Sequence, residues 1–135
     1  MNLQEWGLPK READYAVEYL EALRLFNKGL YFESHEELEQ LWVKLPKGPD
    51  KTFYQAIIHI AAAFLHRSRE RAKPAFAQYR RAYDKLQGLN QNEYKGIVIS
   101  DLLEYLNPYF PPPENSSEVD LTLSPPRLSL IDFDL

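Results

Sequence analysis

FYQAIIHIAAAFLH, residues 53–66, is the stretch on which the fold turns. On a helix its apolar side chains occupy almost the whole circumference, and a helix of that kind must be enclosed by others. Gln55, His59 and His66 interrupt it at spacings of four and seven residues, so they lie near one line. Polar groups in such a helix need partners, because an unpaired buried polar group costs about 1–3 kcal/mol.

The enclosing helices follow from the glycine and proline punctuation. Apolar residues Tyr15, Tyr19, Leu23 and Phe26 recur at helical spacing and predict a first helix over 11–28, with Gly29 as its stop. A second helix is expected over 31–45, ended by Pro46, Gly48 and Pro49. Its start has two readings, since Ser34 followed by Glu37 is also a capping box that would begin the helix later. Asp50 is the expected N-cap of the central helix, 51–69. Pro74 suits the first turn of a fourth helix, in which Phe76, Tyr79, Tyr83 and Leu86 form one stripe and which Gly88 ends. GIVISDLLEYLN then predicts a short extended piece, Ser100 as N-cap, and a last helix over 101–107.

The expectation is an all-α protein: one compact bundle of about five helices over residues 1–107 and a tail over 108–135. The tail contains PPPENSSEVDLTLSPP, rich in Pro and Ser, and reads as extended or disordered. Its end, RLSLIDFDL, alternates apolar and polar residues and could dock as a strand, on a second copy of the chain for example.

Composition sets the outer limits. With 135 residues, 44% of them apolar, the chain suits one domain with a real core. A net charge of −4 argues against general attraction to nucleic acid or anionic membrane. The absence of cysteine excludes disulfides, thiolate metal sites and cysteine nucleophiles, and fits a cytoplasmic setting. The N-terminal MNLQEWGLPKREAD lacks the apolar core of a signal peptide. The longest apolar run, 56–65, is broken by His59 and too short to span a bilayer.

The chemistry concentrates in YFESHEELEQLW, residues 31–42. On a helix His35 shares a face with Tyr31, Leu38 and Trp42, Glu39 lies at the edge of that face, and Glu36 projects about 100° away. The economical reading brings this stripe against Gln55 and His59 of the central helix. A candidate cleft or polar network then consists of His35, Glu36, Glu39, Trp42, Gln55 and His59.

These residues resemble a known family. Phe26, Asn27, Gly29, Tyr31, His35, Glu36, Glu39, Trp42 and Gln55, echoed later by Gly96, Ile97 and Ile99, are similar to the pattern of the domain of unknown function 309 family. The resemblance covers about residues 13–107, and RSRERAKPA departs from it between the third and fourth helices. It implies a compact helical bundle and no activity.

The motif itself admits three uses. A buried polar network that fixes helix register is the leading one, with His35 bonded to Glu39 or Gln55 and the Trp42 indole N–H to an oxygen. The chain is then a structural or binding module, and whether it takes a small-molecule ligand is left open. The alternative is a divalent metal held by His35, Glu39 and His59, which suits Zn, Mn, Fe or Ni. The motif is not the zinc-protease His-Glu-x-x-His. Metal-free acid–base catalysis by His35 and Glu39 has no nucleophile to serve, as neither a cysteine nor a Gly-x-Ser-x-Gly occurs. Separately, Arg67, Arg69, Arg71 and Lys73 precede a helix start and could hold phosphate or nucleic acid, which the acidic net charge disfavours. A homodimer is expected, because a short bundle this rich in aromatics can leave an apolar face uncovered.

Overall fold

The computed structural model describes residues 14–113, 119–131, 133 and 135. The central stretch is enclosed as its sequence demands. It belongs to a 20-residue helix in which Phe53, Tyr54, Ala56, Ile57, Ile58, Ile60, Ala61, Ala63 and Phe64 are all buried. In chain order the elements are α1 (Val17–Asn27), α2 (Tyr31–Lys44), α3 (Pro49–Ser68), α4 (Ala72–Gln87), β1 (Glu93–Tyr94), β2 (Ile97–Val98) and α5 (Ile99–Leu106). α3 packs between α2 and α4, and α1 packs on α2. The all-α expectation holds: 63% of the described residues are helical, and the only sheet among them is the small β1–β2 hairpin. In it Glu93 stands opposite Val98 and Tyr94 opposite Ile97.

Aromatic rings knit the core. Phe64 meets Phe26, Tyr109 and Phe110 edge to face, with centroids 4.8–5.3 Å apart. Tyr19 meets Phe53 and Tyr54 in the same way at 5.8 and 5.4 Å. Such pairs add roughly 0.5–1.5 kcal/mol each beyond the area they bury. They tie α1, α3 and the end of α5 into one core.

Helix ends differ from expectation in instructive ways. α1 ends as read: Gly29 takes a left-handed conformation (φ 78°), and the Leu30 N–H reaches back to the Leu25 carbonyl at 3.0 Å. α1 begins at Val17 behind the extended Ala16, later than the start expected at 11, and residues 11–13 lie outside the described residues. α2 begins at Tyr31, so the capping-box reading fails. Ser34 is instead buried, and its hydroxyl donates to the Ala22 carbonyl of α1 at 2.7 Å. Asp50 is not the cap of α3, which starts one residue earlier behind Gly48. Its carboxylate accepts the Tyr94 hydroxyl and lies 3.4 Å from the Lys95 ammonium, tying the hairpin to the head of α3. Nor does Ser100 cap α5. Asn92 does so from the hairpin, its carbonyl taking the Ile99 N–H at 2.7 Å and its side chain the Ser100 N–H at 3.1 Å.

Beyond α5 the chain makes a 3-10 turn (Asn107–Tyr109), a further turn follows at 121–122, and residues 124–130 then run free of helix and turn against the bundle. The alternation in RLSLIDFDL is expressed against the chain's own body: Leu128 and Leu130 are buried, while Ser129 and Ile131 are exposed. Gly96 is where this segment passes closest. It has φ 81°, and a Cβ there would stand 2.7 Å from the Tyr15 hydroxyl and 3.2 Å from Leu130.

Two stability measurements check this packing. Gly96→Ala should lower the unfolding free energy in urea by about 2–3 kcal/mol, since it combines backbone strain with a clash. Ser34→Ala should cost about 1 kcal/mol, the worth of one net hydrogen bond.

Candidate functional site

α2 and α3 do not close completely on each other. Between them, and under α4, lies a cleft of about 230 Å³ lined by His35, Glu39, Trp42, Gln55, Ile58, His59, Ala62 and Gln78. Five of the six residues singled out from the sequence line it together. The sixth, Glu36, is exposed and lies off the cleft, because the helical period carries it around α2. His66 is also absent from it. Seven residues beyond His59 it lies about 10 Å further along α3, past the cleft's end.

Gln78 came from no sequence argument. Its signal was present: Ala75, Gln78 and Ala82 fall at spacings of three and four. Both alanines are fully buried, which makes Gln78 the polar member of a small-residue face.

The polar groups pair within two separate sets. His35 Nε2 stands 3.4 Å from a Glu39 carboxylate oxygen, one turn along the same helix. Their side chains are 28% and 51% exposed, so the pair contributes at most about 1 kcal/mol. On the opposite wall His59 Nδ1–H donates to the Gln78 side-chain oxygen at 2.8 Å. That bond leaves Nε2 as an acceptor in the neutral ring. Burial holds the His59 pKa below its ordinary value of 6.5. The Gln78 bond opposes that shift, while Lys85, Arg81 and His35 add to it. Among the described residues no hydrogen bond joins His35, Glu39 or Trp42 to Gln55 or His59.

Two atoms of the α2 wall are left over. Trp42 Nε1 and His35 Nδ1 are both shielded from solvent and have no hydrogen-bond partner among the described residues. The Trp42 indole N–H can only donate. Its ring carries the Lys51 ammonium 4.5 Å from the centroid, and Lys51 is itself held by the Leu45 carbonyl at 2.9 Å. The Phe32 ring stacks on His35 at 6.4 Å. Both side chains are therefore held in place by packing, while their polar atoms go unmatched.

The residues considered for a metal do not form a cluster of ligands. Among the described residues no group of three or more His, Asp or Glu side chains is placed to hold an ion. The basic turn is divided. The Arg67 guanidinium donates to the Asp120 carbonyl of the chain's own tail and stands 5.0 Å from the Tyr109 ring. Arg69, Arg71 and Lys73 are exposed. A second hollow, of about 410 Å³, is larger than the cleft. Its walls are chiefly apolar, with Ile97, Leu102, Leu128 and Ile131 among them. The chemistry-bearing side chains converge on the smaller cleft.

Comparison with known families agrees with the motif reading. Residues 19–78, from the first turn of α1 into α4, match the family model described as Domain of unknown function (DUF309). The matched segment holds both walls of the cleft, Gln78 included. No curated protein and no solved structure matches the chain. Among the described residues no helix is long and apolar enough to cross a membrane.

The His59 shift has a pH consequence. A histidine whose folded pKa is lowered keeps its full contribution to stability above the unfolded value, near 6.5. It loses that contribution as the pH falls below 6.5 toward the folded pKa, where the unfolded chain binds the extra proton. The melting temperature should therefore drop between pH 7.5 and 5, and His59→Gln should flatten the drop. His35→Ala should change stability by less than about 1 kcal/mol at pH 7, as befits a half-solvated pair.

Proposed function

We propose that the protein is a binding module whose α2–α3–α4 cleft receives a small polar organic molecule. One observation carries this reading. Two residues of an open cleft's wall hold buried polar atoms, Trp42 Nε1 and His35 Nδ1, that find no hydrogen-bond partner among the described residues. A network built for stability would have satisfied them, since each costs about 1–3 kcal/mol when left unmet. Unsatisfied groups in an otherwise well-packed wall are what ligand sites tolerate.

The cleft offers complementary chemistry on its two sides. His59 Nε2 accepts, the Gln55 and Gln78 amides do both, and small rotations of Trp42 and His35 would present N–H donors. Ile58 and Ala62 supply an apolar floor. A volume of about 230 Å³ is below the range of drug-sized sites, about 300–1,000 Å³, so the ligand would be small. The divalent-metal reading is the weaker one, because the cleft brings two histidines and one carboxylate near each other without grouping them as ligands. A homodimer and a cytoplasmic setting are compatible with the same proposal. The exposed apolar side chains Leu30, Phe32 and Val43 on and beside α2 suit the former, and the lack of cysteine suits the latter.

The test is an NMR titration of ¹⁵N-labelled protein with a library of small polar fragments. At least one fragment should shift the Trp42 indole and the Gln55 and Gln78 side-chain amides together. His59→Ala should abolish the shift while leaving the melting temperature within a few degrees. If no fragment moves these resonances at millimolar concentration, the cleft is not a binding site.

A further inference from the structure

The hydrogen bonds that the bundle makes to residues 120–131 go to backbone atoms. Asn27 donates its side-chain N–H to the Leu128 carbonyl at 2.8 Å and accepts the Leu128 N–H at 2.7 Å. The Tyr109 hydroxyl donates to the Ser124 carbonyl at 2.6 Å, and Arg67 donates to the Asp120 carbonyl. The Tyr105 hydroxyl accepts the Arg127 N–H at 2.9 Å, and the Gly96 carbonyl accepts the Ile131 N–H at 2.9 Å. Contacts from α1, α3, α5 and the hairpin thus read main chain at five places between residues 120 and 131.

Bonds to main chain combined with pockets for alternate side chains are how grooves hold extended peptides. The pockets are here too. Leu128 and Leu130 enter the core, while Ser129 and Ile131 between and after them stay outside. Gly96 lets Leu130 approach closer than any side chain would allow. The hollow of about 410 Å³ runs beside the segment, so the groove is not filled to core density.

We infer that this face is a peptide-binding groove for an extended Leu-x-Leu segment, occupied here by the chain's own tail, and that its other occupant is residues 119–131 of a second copy of the chain. The chain itself supplies a segment that fits, held by bonds to its backbone and by two buried leucines. They are the same whichever copy supplies the segment, so exchange between copies conserves every one of them. The sequence leading to the segment, Pro111-Pro112-Pro113 followed by Glu-Asn-Ser-Ser-Glu, has the composition of a spacer. Asn27, the residue that reads Leu128 on both sides, belongs to the same family-like run as His35, yet it serves this groove and not the cleft.

Three measurements on full-length protein decide the matter. In wild type the Leu128 and Ile131 amides should exchange with solvent on the order of a hundredfold faster than that of Ile60, through local opening. Exchange as slow as Ile60 overturns the inference, because a segment that never leaves cannot be exchanged. A labelled synthetic peptide of residues 119–131 should bind the Leu128→Asp/Leu130→Asp chain at least about ten-fold more tightly than wild type, whose own tail competes at high effective concentration. Adding Asn27→Leu should abolish that binding. If the double variant loses its helical circular dichroism, the peptide should restore it. A peptide that neither binds nor restores the fold overturns the groove. Light scattering should show a wild-type dimer that grows with concentration and is absent in Leu128→Asp/Leu130→Asp. A wild type that stays monomeric at millimolar concentration overturns the second copy as occupant.

Discussion

The structure depends on a single constraint: α3 is apolar around almost its whole circumference and must be covered on every side. α2 and α4 cover two flanks, and the Phe64 ring gathers Phe26, Tyr109 and Phe110 over a third. Wherever α3 carries a polar side chain, the covering has to give way or supply a partner. Gln55 and His59 are those places, and the cleft is where the covering gives way. His59 gains one partner in Gln78. The position of the site thus follows from the packing of the core.

Much of this was legible in the sequence because it rests on period and punctuation. The enclosed α3, the five helices and the Gly29 stop are all consequences of local pattern. So is the meeting of the His35–Glu39–Trp42 stripe with Gln55 and His59, since two amphipathic faces flank one apolar helix. What escaped was set by tertiary contact. Ser34 has the side chain of a cap, yet the close approach of α1 turned its hydroxyl to the Ala22 carbonyl. Asp50 was drawn from the head of α3 to Tyr94 and Lys95. Asn92, seven residues ahead of α5, took the capping role that Ser100 suggested. Gln78 is visible as a site residue only once α4 is known to pack its alanine face on α3.

The expected buried network is the reading that geometry qualifies most. Its members are close, but they pair in two sets that no hydrogen bond joins among the described residues, and the most hydrophobic of them, Trp42, has its N–H unmatched there. The residues similar to the family pattern serve two surfaces. Asn27 holds the C-terminal segment, whereas His35, Glu39, Trp42 and Gln55 line the cleft. Tyr31 lies between the two, its ring stacked on Phe64 at 5.6 Å. One short run of sequence therefore fixes the bundle and faces both of its candidate surfaces.

The central claim is that His35 and Gln55 face each other across an open cleft and are not joined in a stabilising network. A double-mutant cycle of unfolding free energies, with His35→Ala, Gln55→Ala and the pair, measures this directly. An open cleft gives an interaction energy within about 0.5 kcal/mol of zero, the level at which unconnected sites add. A coupling of about 1.5 kcal/mol or more would mean that the two helices are joined through these side chains, and would contradict the cleft.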